Sequence, residues 1–155
     1  MGMQDTLREV VAGILIERPA KGKGYAQWIS DLEASGQAID HRALGAKNQV
    51  GAAKVLRHIT GIERWCQIRL QVFLGAPFVR DEYDNFQPGT DLTTDQQRST
   101  FLETRQETIA LTQTLAKAEI PDTVTVLHNA LGPLTVRGWL RYIEMHASLE
   151  SKKMR

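Results

Sequence analysis

Residues 135–152 read TVRGWLRYIEMHASLESK, and this stretch decides how the rest of the chain is expected to fold. Thr135 is a typical helix N-cap, because its hydroxyl can accept a hydrogen bond from the first turn. Trp139 and Ile143 then mark one helical face that should lie against a core. His146 and Glu150 continue the same face, about 6 Å apart along the axis at roughly 1.5 Å rise per residue. The two side chains can therefore converge on one ion or one ligand.

Glu150 is also unusual because it lies in the last turn of this predicted helix. The helix dipole disfavours an anion there by roughly 0.3–1 kcal/mol. A bound metal ion would relieve that cost, and so would one of the nearby cations Lys152, Lys153 and Arg155. The pattern therefore leaves two interpretations open. Either Glu150 is a ligand, or it bends toward solvent and pairs with a lysine.

Composition favours one domain of ordinary size, residues 1–155, with enough chain to bury a core. The 19 basic and 18 acidic residues nearly cancel, which argues against nucleic-acid binding through a broad basic face. The sequence contains no apolar run of 18 residues and no signal-peptide pattern, so we expect no membrane span. Its one cysteine, Cys66, cannot form an internal disulfide. The expected compartment is the cytoplasm.

Helical periodicity predicts four further helices. The first is amphipathic and covers residues 4–18, within an N-terminal extension formed by residues 1–18. The others run from Tyr25 past Ile39, from about Asn48 to Leu74, and from Thr93 or Thr94 to about Glu119. Residues 78–92 are expected to form an ordered loop, and 124–127 a short extended piece. The predicted fold is all-α, a four-helix bundle with a crossover connection plus the N-terminal helix.

His58 lies on the apolar stripe of the long third helix, just as His146 lies on that of the last helix. A lone histidine on such a stripe is usually a satisfied core residue. Two histidines and Glu150 from two facing helices form the kind of set from which bundles build metal sites. Two imidazoles and a carboxylate suit a catalytic zinc with an open position or a non-haem iron.

Other polar residues have simpler expectations. Arg69 lies on the inner stripe, where it could extend toward solvent, pair with a glutamate or meet an anionic ligand. His128 precedes a turn and is expected to bond backbone there, although it could line the mouth of a pocket. Cys66 is interpreted as a small core residue and His41 as a surface residue. The acidic residues of the long loop are expected to be solvated, and their spacing does not fit a calcium loop: Asp81, Glu82, Asp84 and Asp91.

Three segments together resemble the DinB/YfiT-like superfamily of metal-binding four-helix bundles. The segment GAAKVLRHITGIERW (51–65) is similar to the family's helix with a single ligand histidine. HNALGPLT (128–135) is similar to its His-Pro-x-x-Gly lead-in to the last helix. WLRYIEMHASLE (139–150) is similar to the closing helix that carries His-x-x-x-His. The resemblance covers most of the chain from Tyr25 onward.

The resemblance implies a role for each matching residue. His58 matches the single ligand and His146 the first histidine of the closing pair, while Glu150 stands where the family has the second histidine. Asn129 stands where proline is common. The resemblance further implies a homodimer and a divalent metal, nickel, zinc or iron. In the family's terms it also implies thiol-dependent transferase or isomerase chemistry, sometimes related to stress.

Two functions follow as hypotheses. The first is a metal-dependent enzyme of the thiol S-transferase or hydrolase type, acting on a small-molecule substrate with a low-molecular-weight thiol. The alternative is a catalytically inactive helical bundle that works as an interaction or ligand-binding protein. The missing third histidine and the extension at residues 1–18 motivate this alternative.

Overall fold

The computed structural model describes residues 2–155, and these residues are mainly α-helical, with one small hairpin and one long loop between residues 73 and 93. The all-α prediction is confirmed for this part of the chain. The α-helices are α1 (Met3–Ala12), α2 (Arg18–Lys21), α3 (Tyr25–Leu44), α4 (Gln49–Val72), α5 (Thr94–Ala118) and α6 (Val136–Ser151). A π-helical turn, Gly13–Glu17, joins α1 to α2, and a 3-10 turn, Tyr83–Phe86, lies in the long loop.

The long helices begin where their capping residues predict. Asn48 caps α4 by accepting a hydrogen bond from the Gly51 amide at 2.9 Å. Thr93 caps α5 and forms a reciprocal capping box with Gln96. Of the two starts that the sequence offered, Thr93 or Thr94, the structure therefore has Thr93 as the cap.

Helices α3 and α4 follow each other in the sequence, but neither is the main packing partner of the other. Helix α5 packs against both α3 and α4, α6 packs against the same two helices, and α3 touches α4 much less. Two clusters of buried apolar residues fill the space between these helices. Trp28 of α3 and Trp139 of α6 are the largest apolar side chains that are fully buried. The order of contacts places α4 beside α6, which matters for the site.

The link before α6 forms an antiparallel hairpin, and the short extended piece predicted at 124–127 overlaps its first strand at residues 126 and 127. Strand β1 (Val126–His128) pairs with β2 (Gly132–Leu134). Gly132 has φ 81°, in the left-handed region where a side chain would be strained. The hairpin delivers the chain to Thr135, whose hydroxyl accepts from the Gly138 amide at 3.1 Å and starts α6.

The start of α6 is completed by a carboxylate from the N-terminal segment. Glu17 accepts hydrogen bonds from the backbone amide and the hydroxyl of Thr135, both at 2.8 Å. In an ordinary capping box the third helical residue supplies this carboxylate. Here that residue is Gly138, and a Cβ at Gly138 would clash with Glu17. The N-terminal segment is thus fastened to α6 by a cap made between two helices.

The N-terminal extension ends later than predicted, and its large apolar side chains are exposed. Pro19 does not break it, because α2 continues through Arg18–Lys21. Small residues and one isoleucine form its buried face, whereas the large apolar side chains point outward. The buried residues are Ala12, Ile16 and Ala20; the exposed ones are Met3, Leu7, Val10, Val11, Ile14 and Leu15. Met1 lies outside the described residues.

A cluster of polar side chains from three helices is buried between α3, α4 and α5. Glu63 and Arg105 are each 1% exposed and form an ion pair with Nε–Oε1 at 2.8 Å and Nη2–Oε2 at 3.0 Å. Thr108 donates to the same carboxylate, and Arg105 also donates to the Leu32 carbonyl and the Ser35 hydroxyl. No side-chain atom of Glu63 or Arg105 is left without a partner.

None of the helices in residues 2–155 combines the length and the apolar character needed to cross a membrane.

Candidate metal centre

The three predicted ligands come together between α4 and α6. His58 lies in the first half of α4, and His146 and Glu150 lie one turn apart near the end of α6. One ligand atom from each residue lies within 4.8 Å of the others. All three residues are half-buried, so the group is neither sealed in the core nor spread over the surface. The sequence-based prediction that these residues gather at one place is confirmed.

The two imidazoles face each other without bonding. Their ring centroids are 5.1 Å apart and the rings are tilted by 56°. The Nδ1 atom of His146 is buried and has no hydrogen-bond partner. Burial, reinforced by the neighbouring His58, lowers the pKa of His146 to about 4. His146 is therefore neutral at pH 7, which is the form that binds a metal ion.

Glu150 pairs with a lysine, as one of the two interpretations of the sequence allowed, and it also lies close to the two histidines. Its Oε2 accepts a hydrogen bond from Lys153 Nζ at 2.7 Å, so one oxygen does pair with a lysine. Partial burial by itself would raise the pKa of Glu150, but Lys153 and the two histidines outweigh it and the net shift is downward. A carboxylate has two oxygens. The ion pair with Lys153 thus leaves one oxygen for a ligand at the site.

Two tyrosines that the sequence did not single out form aromatic walls around the histidines. Tyr142 is one turn before His146 on α6, and its ring stacks on that imidazole at 5.7 Å. Tyr83, in the 3-10 turn, meets His58 edge to face at 5.4 Å. Tyr142 could have been found from its i, i+4 spacing to His146. Tyr83 could not, because its loop has no periodicity.

His128 bonds the backbone of the hairpin, as predicted, and also faces the aromatic residues near the site. Its Nδ1 accepts from the amides of Ala130 and Leu131, both at 3.1 Å, so the proton of the neutral ring is on Nε2. The Nε2 atom is buried without a partner. Burial, with a contribution from Arg69, lowers the pKa of His128 to about 4. Its ring lies 4.5 Å from that of Tyr142.

Arg69 is fully buried, and its partner is not the glutamate that the sequence allowed. It forms an ion pair with Asp81 of the long loop, Nη1–Oδ1 at 3.0 Å. Its guanidinium lies over the rings of Trp65 and Phe78. Asn129 of the hairpin donates to the Asp81 carbonyl at 2.8 Å. Asp81 is thus an anchor that holds the loop to α4 and the hairpin, so the prediction of a solvated acidic loop is wrong at this position.

Cys66 is a core residue, as predicted. It is fully buried, and burial together with the nearby Glu63 carboxylate raises the pKa of its thiol well above the usual value. A protonated, buried thiol is a poor nucleophile. The remaining histidine, His41, is exposed on α3, also as predicted.

The donor set fits a divalent metal ion in three respects. Two imidazoles and one carboxylate are the ligand types that zinc and non-haem iron accept. The ligand atoms are close enough that small side-chain movements would bring each to the ~2.0–2.2 Å that such bonds require. The unpartnered Nδ1 of His146 is a buried atom that lacks the hydrogen bond that buried polar atoms normally have.

Comparisons with known proteins add no identification: no family model matches the chain, and no curated protein or solved structure does.

Proposed function

We propose that this protein is a metal-dependent enzyme of the DinB/YfiT-like kind, with thiol S-transferase or hydrolase activity on a small molecule. The observation that carries the proposal is the convergence of His58, His146 and Glu150 from two helices within 4.8 Å. The order of helix contacts supports the accompanying proposal of a four-helix bundle with a crossover, made by α3, α4, α5 and α6. The same resemblance motivates a link to stress responses.

Each residue of the centre has a role that follows from its surroundings. His58 and His146 would hold the ion, and His146 needs no proton removed at pH 7 because its pKa is about 4. Glu150 would supply the anionic ligand. A divalent ion bound there lowers the pKa of a bound water or thiol toward neutrality. Tyr83 and Tyr142 flank the histidines and would restrict how a substrate approaches.

A thiol in this reaction would come from a separate small molecule. The chain has one cysteine, and Cys66 is fully buried with a raised pKa. It therefore cannot serve as the nucleophile. The preferred metals are nickel, zinc or iron, and the carboxylate of Glu150 shifts the preference toward the harder ions.

We further propose that two copies associate through the exposed face of the N-terminal segment. Among residues 2–155, fourteen large apolar side chains are exposed, and six of them lie between Met3 and Leu15, on one side of α1 and the π-helical turn. Contiguous apolar patches of this kind mark interaction sites. Sedimentation equilibrium should give a dimer for the natural chain and a monomer for Leu7→Glu combined with Ile14→Glu. A natural chain that is monomeric at all concentrations would contradict this proposal.

Elemental analysis tests the metal centre. Protein purified without a histidine tag should contain about one equivalent of nickel, zinc or iron, and His146→Ala should contain none. His41→Ala is the matched control, because His41 is an exposed histidine elsewhere on the surface. Natural protein that takes up none of these metals during dialysis would remove the proposal.

The second candidate function is an inactive bundle that binds a ligand or a protein partner. It is favoured by one observation, the ion pair between Glu150 and Lys153, which already neutralises the third ligand. In that case the natural protein lacks a metal and Glu150→His creates a metal site with three histidines. Tight metal binding by the natural protein excludes this candidate.

A further inference from the structure

The loop between α4 and α5 carries Tyr83 to the metal centre. Tyr83 opens the 3-10 turn, and its ring meets the imidazole of His58 edge to face with the centroids 5.4 Å apart. Both side chains are half-buried, so the ring shields one side of an imidazole that still has solvent access. Tyr142, the other aromatic wall, is fixed by its own helix. The position of Tyr83 depends instead on what holds its loop.

The residue two positions before Tyr83 fastens the loop on one side of the turn. The carboxylate of Asp81 accepts from the Trp65 indole at 3.1 Å and pairs with the buried Arg69 guanidinium at 3.0 Å. Its backbone carbonyl accepts from the Asn129 amide at 2.8 Å. A buried guanidinium without its carboxylate is costly, so this attachment to α4 and the hairpin is strong.

Close packing fastens the loop on the other side of the turn. Gly61 is a buried residue of α4, one turn after His58. A Cβ at Gly61 would lie 2.5 Å from Gln87 Cγ and 3.2 Å from its Cα, so the loop lies directly against the helix. The next residue, Pro88, is buried, and its carbonyl accepts from Arg57 Nε at 2.7 Å. The turn that carries the tyrosine is thus held at both ends.

We propose that Asp81 and Gly61 are positioning residues, which hold Tyr83 against His58 and so limit the size of the ligand that reaches the metal centre. A wall held at both ends excludes a bulky ligand by a steric clash, which is one of the two ways in which proteins achieve specificity. The inference rests on the metal centre proposed above and names the residues that set its selectivity.

Modification of histidines by diethyl pyrocarbonate tests the wall on metal-free protein, with peptide mass spectrometry as the readout. The reagent has to displace the Tyr83 ring to reach the shielded side of His58. Tyr83→Ala should therefore raise the rate at His58 by about 2- to 10-fold, the equivalent of one aromatic contact. Tyr83→Phe keeps the ring and should keep the natural rate. His41, which is exposed on α3, is the internal reference.

Gly61→Ala displaces the wall without altering the tyrosine. The added methyl group pushes Gln87 away from α4, so the rate at His58 should rise. Gln87→Ala removes the Cγ atom that the methyl group would meet, and the two changes together should restore the natural rate. Asn129→Ala, which removes one bond to the Asp81 carbonyl, is a second way to loosen the loop and should also raise the rate.

Cobalt(II)-loaded protein tests the size limit itself. Ethanethiol and tert-butyl thiol share a donor atom and differ in bulk, and visible absorption follows their binding to the ion. The natural chain should prefer ethanethiol, and Tyr83→Ala and Gly61→Ala should each reduce that preference. Equal rates at His58 in the natural chain and in Tyr83→Ala, or an unchanged thiol preference, would overturn this inference alone. Protein that binds no cobalt would overturn the metal centre and the size limit together.

Discussion

Two polar clusters lie between the helices of this protein, and they differ in how completely their atoms are paired. The Glu63–Arg105 cluster is fully buried, and each of its charged atoms has a partner on α3, α4 or α5. The His58–His146–Glu150 cluster is half-buried, and the Nδ1 atom of His146 has no hydrogen-bond partner. A buried group that is fully paired needs nothing further from outside. A group left incomplete is a place where a ligand can bind.

The difference follows from what surrounds each cluster. Arg105 lies over Gly36, where even a Cβ would come within 3.1 Å of its side chain, so α3 closes over the ion pair. His58 and His146 are flanked by the rings of Tyr83 and Tyr142 instead, and aromatic carbon offers them no strong acceptor. We therefore expect the first cluster to determine stability and the second to determine ligand binding.

Breaking the Glu63–Arg105 pair should have the largest effect on folding. Arg105→Met leaves the Glu63 carboxylate buried and uncompensated, which costs about 3–5 kcal/mol. Urea unfolding monitored by tryptophan fluorescence measures the loss. Arg98→Met is the matched control on the same helix, because Arg98 pairs with Asp40 nearer the surface, and its cost should be about 1 kcal/mol or less.

The double variant Glu63→Met with Arg105→Met sharpens this test. Replacing both charges by apolar side chains removes the uncompensated carboxylate, so most of the lost stability should return. A loss below about 1 kcal/mol for Arg105→Met alone would show that water reaches Glu63 and that the two clusters are not different in kind.

Acid should destabilise the protein through His128, whose Nε2 is the other buried imidazole nitrogen without a partner. The folded-state pKa of His128 is about 4, whereas an unfolded histidine has a pKa of about 6.5. Below pH 6.5 the unfolded chain gains the proton first, so stability falls until pH 4 and then levels off. The loss is about 3 kcal/mol from this residue.

His128→Asn removes that titration and keeps an acceptor for the amides of Ala130 and Leu131. Its stability should change less between pH 7 and pH 4 than that of the natural chain, by about the same 3 kcal/mol. His41→Asn, at an exposed position, should retain the natural pH dependence. Identical profiles for all three proteins would show that His128 is not buried in its neutral form.

Local spacing was enough to predict much of the candidate site, since i, i+4 geometry alone places His146 and Glu150 together. Capping chemistry likewise predicted the start of α6 at Thr135. The sequence did not reveal which residues complete the pairing across helices. Glu63 and Arg105 are 42 positions apart in the sequence. Periodicity places each of them on a buried helical face because the neighbouring residues of that face are apolar, but it does not show that the two charges pair with each other.

The N-terminal segment shows a second limit of periodicity. The pattern of Leu7, Val10 and Ile14 correctly predicts an amphipathic helix, but a period does not say what its apolar face meets. Glu17 binds Thr135 and thereby fixes the rotation of this segment, and the large apolar side chains turn outward. The decisive contact is 118 residues away in sequence, so no local rule could supply it.

Removing an imidazole from the incomplete cluster should have little effect on folding. His146→Leu eliminates a buried nitrogen that has no partner. The free energy of unfolding without metal should therefore either rise or fall by no more than about 1 kcal/mol. Urea unfolding in the presence of a chelator measures it, with His41→Leu as the exposed control. A loss comparable to that of Arg105→Met would mean that His146 is structural.

The smallest expected effect concerns the one ion pair that the incomplete cluster does make. Lys153 holds Oε2 of Glu150 at 2.7 Å, and its side chain is 64% exposed, so the pair is screened by solvent. Lys153→Gln removes a cation beside the site and frees a carboxylate oxygen, which should raise metal affinity by about 2- to 5-fold, most clearly at low salt. Competition with a chromophoric chelator measures the change.

Lys152→Gln is the control, because the adjacent lysine has no carboxylate within 4.0 Å in residues 2–155. A lower affinity in Lys153→Gln would mean that the lysine positions Glu150 for binding, and the ion pair would then belong to the site as a support and not as a competitor.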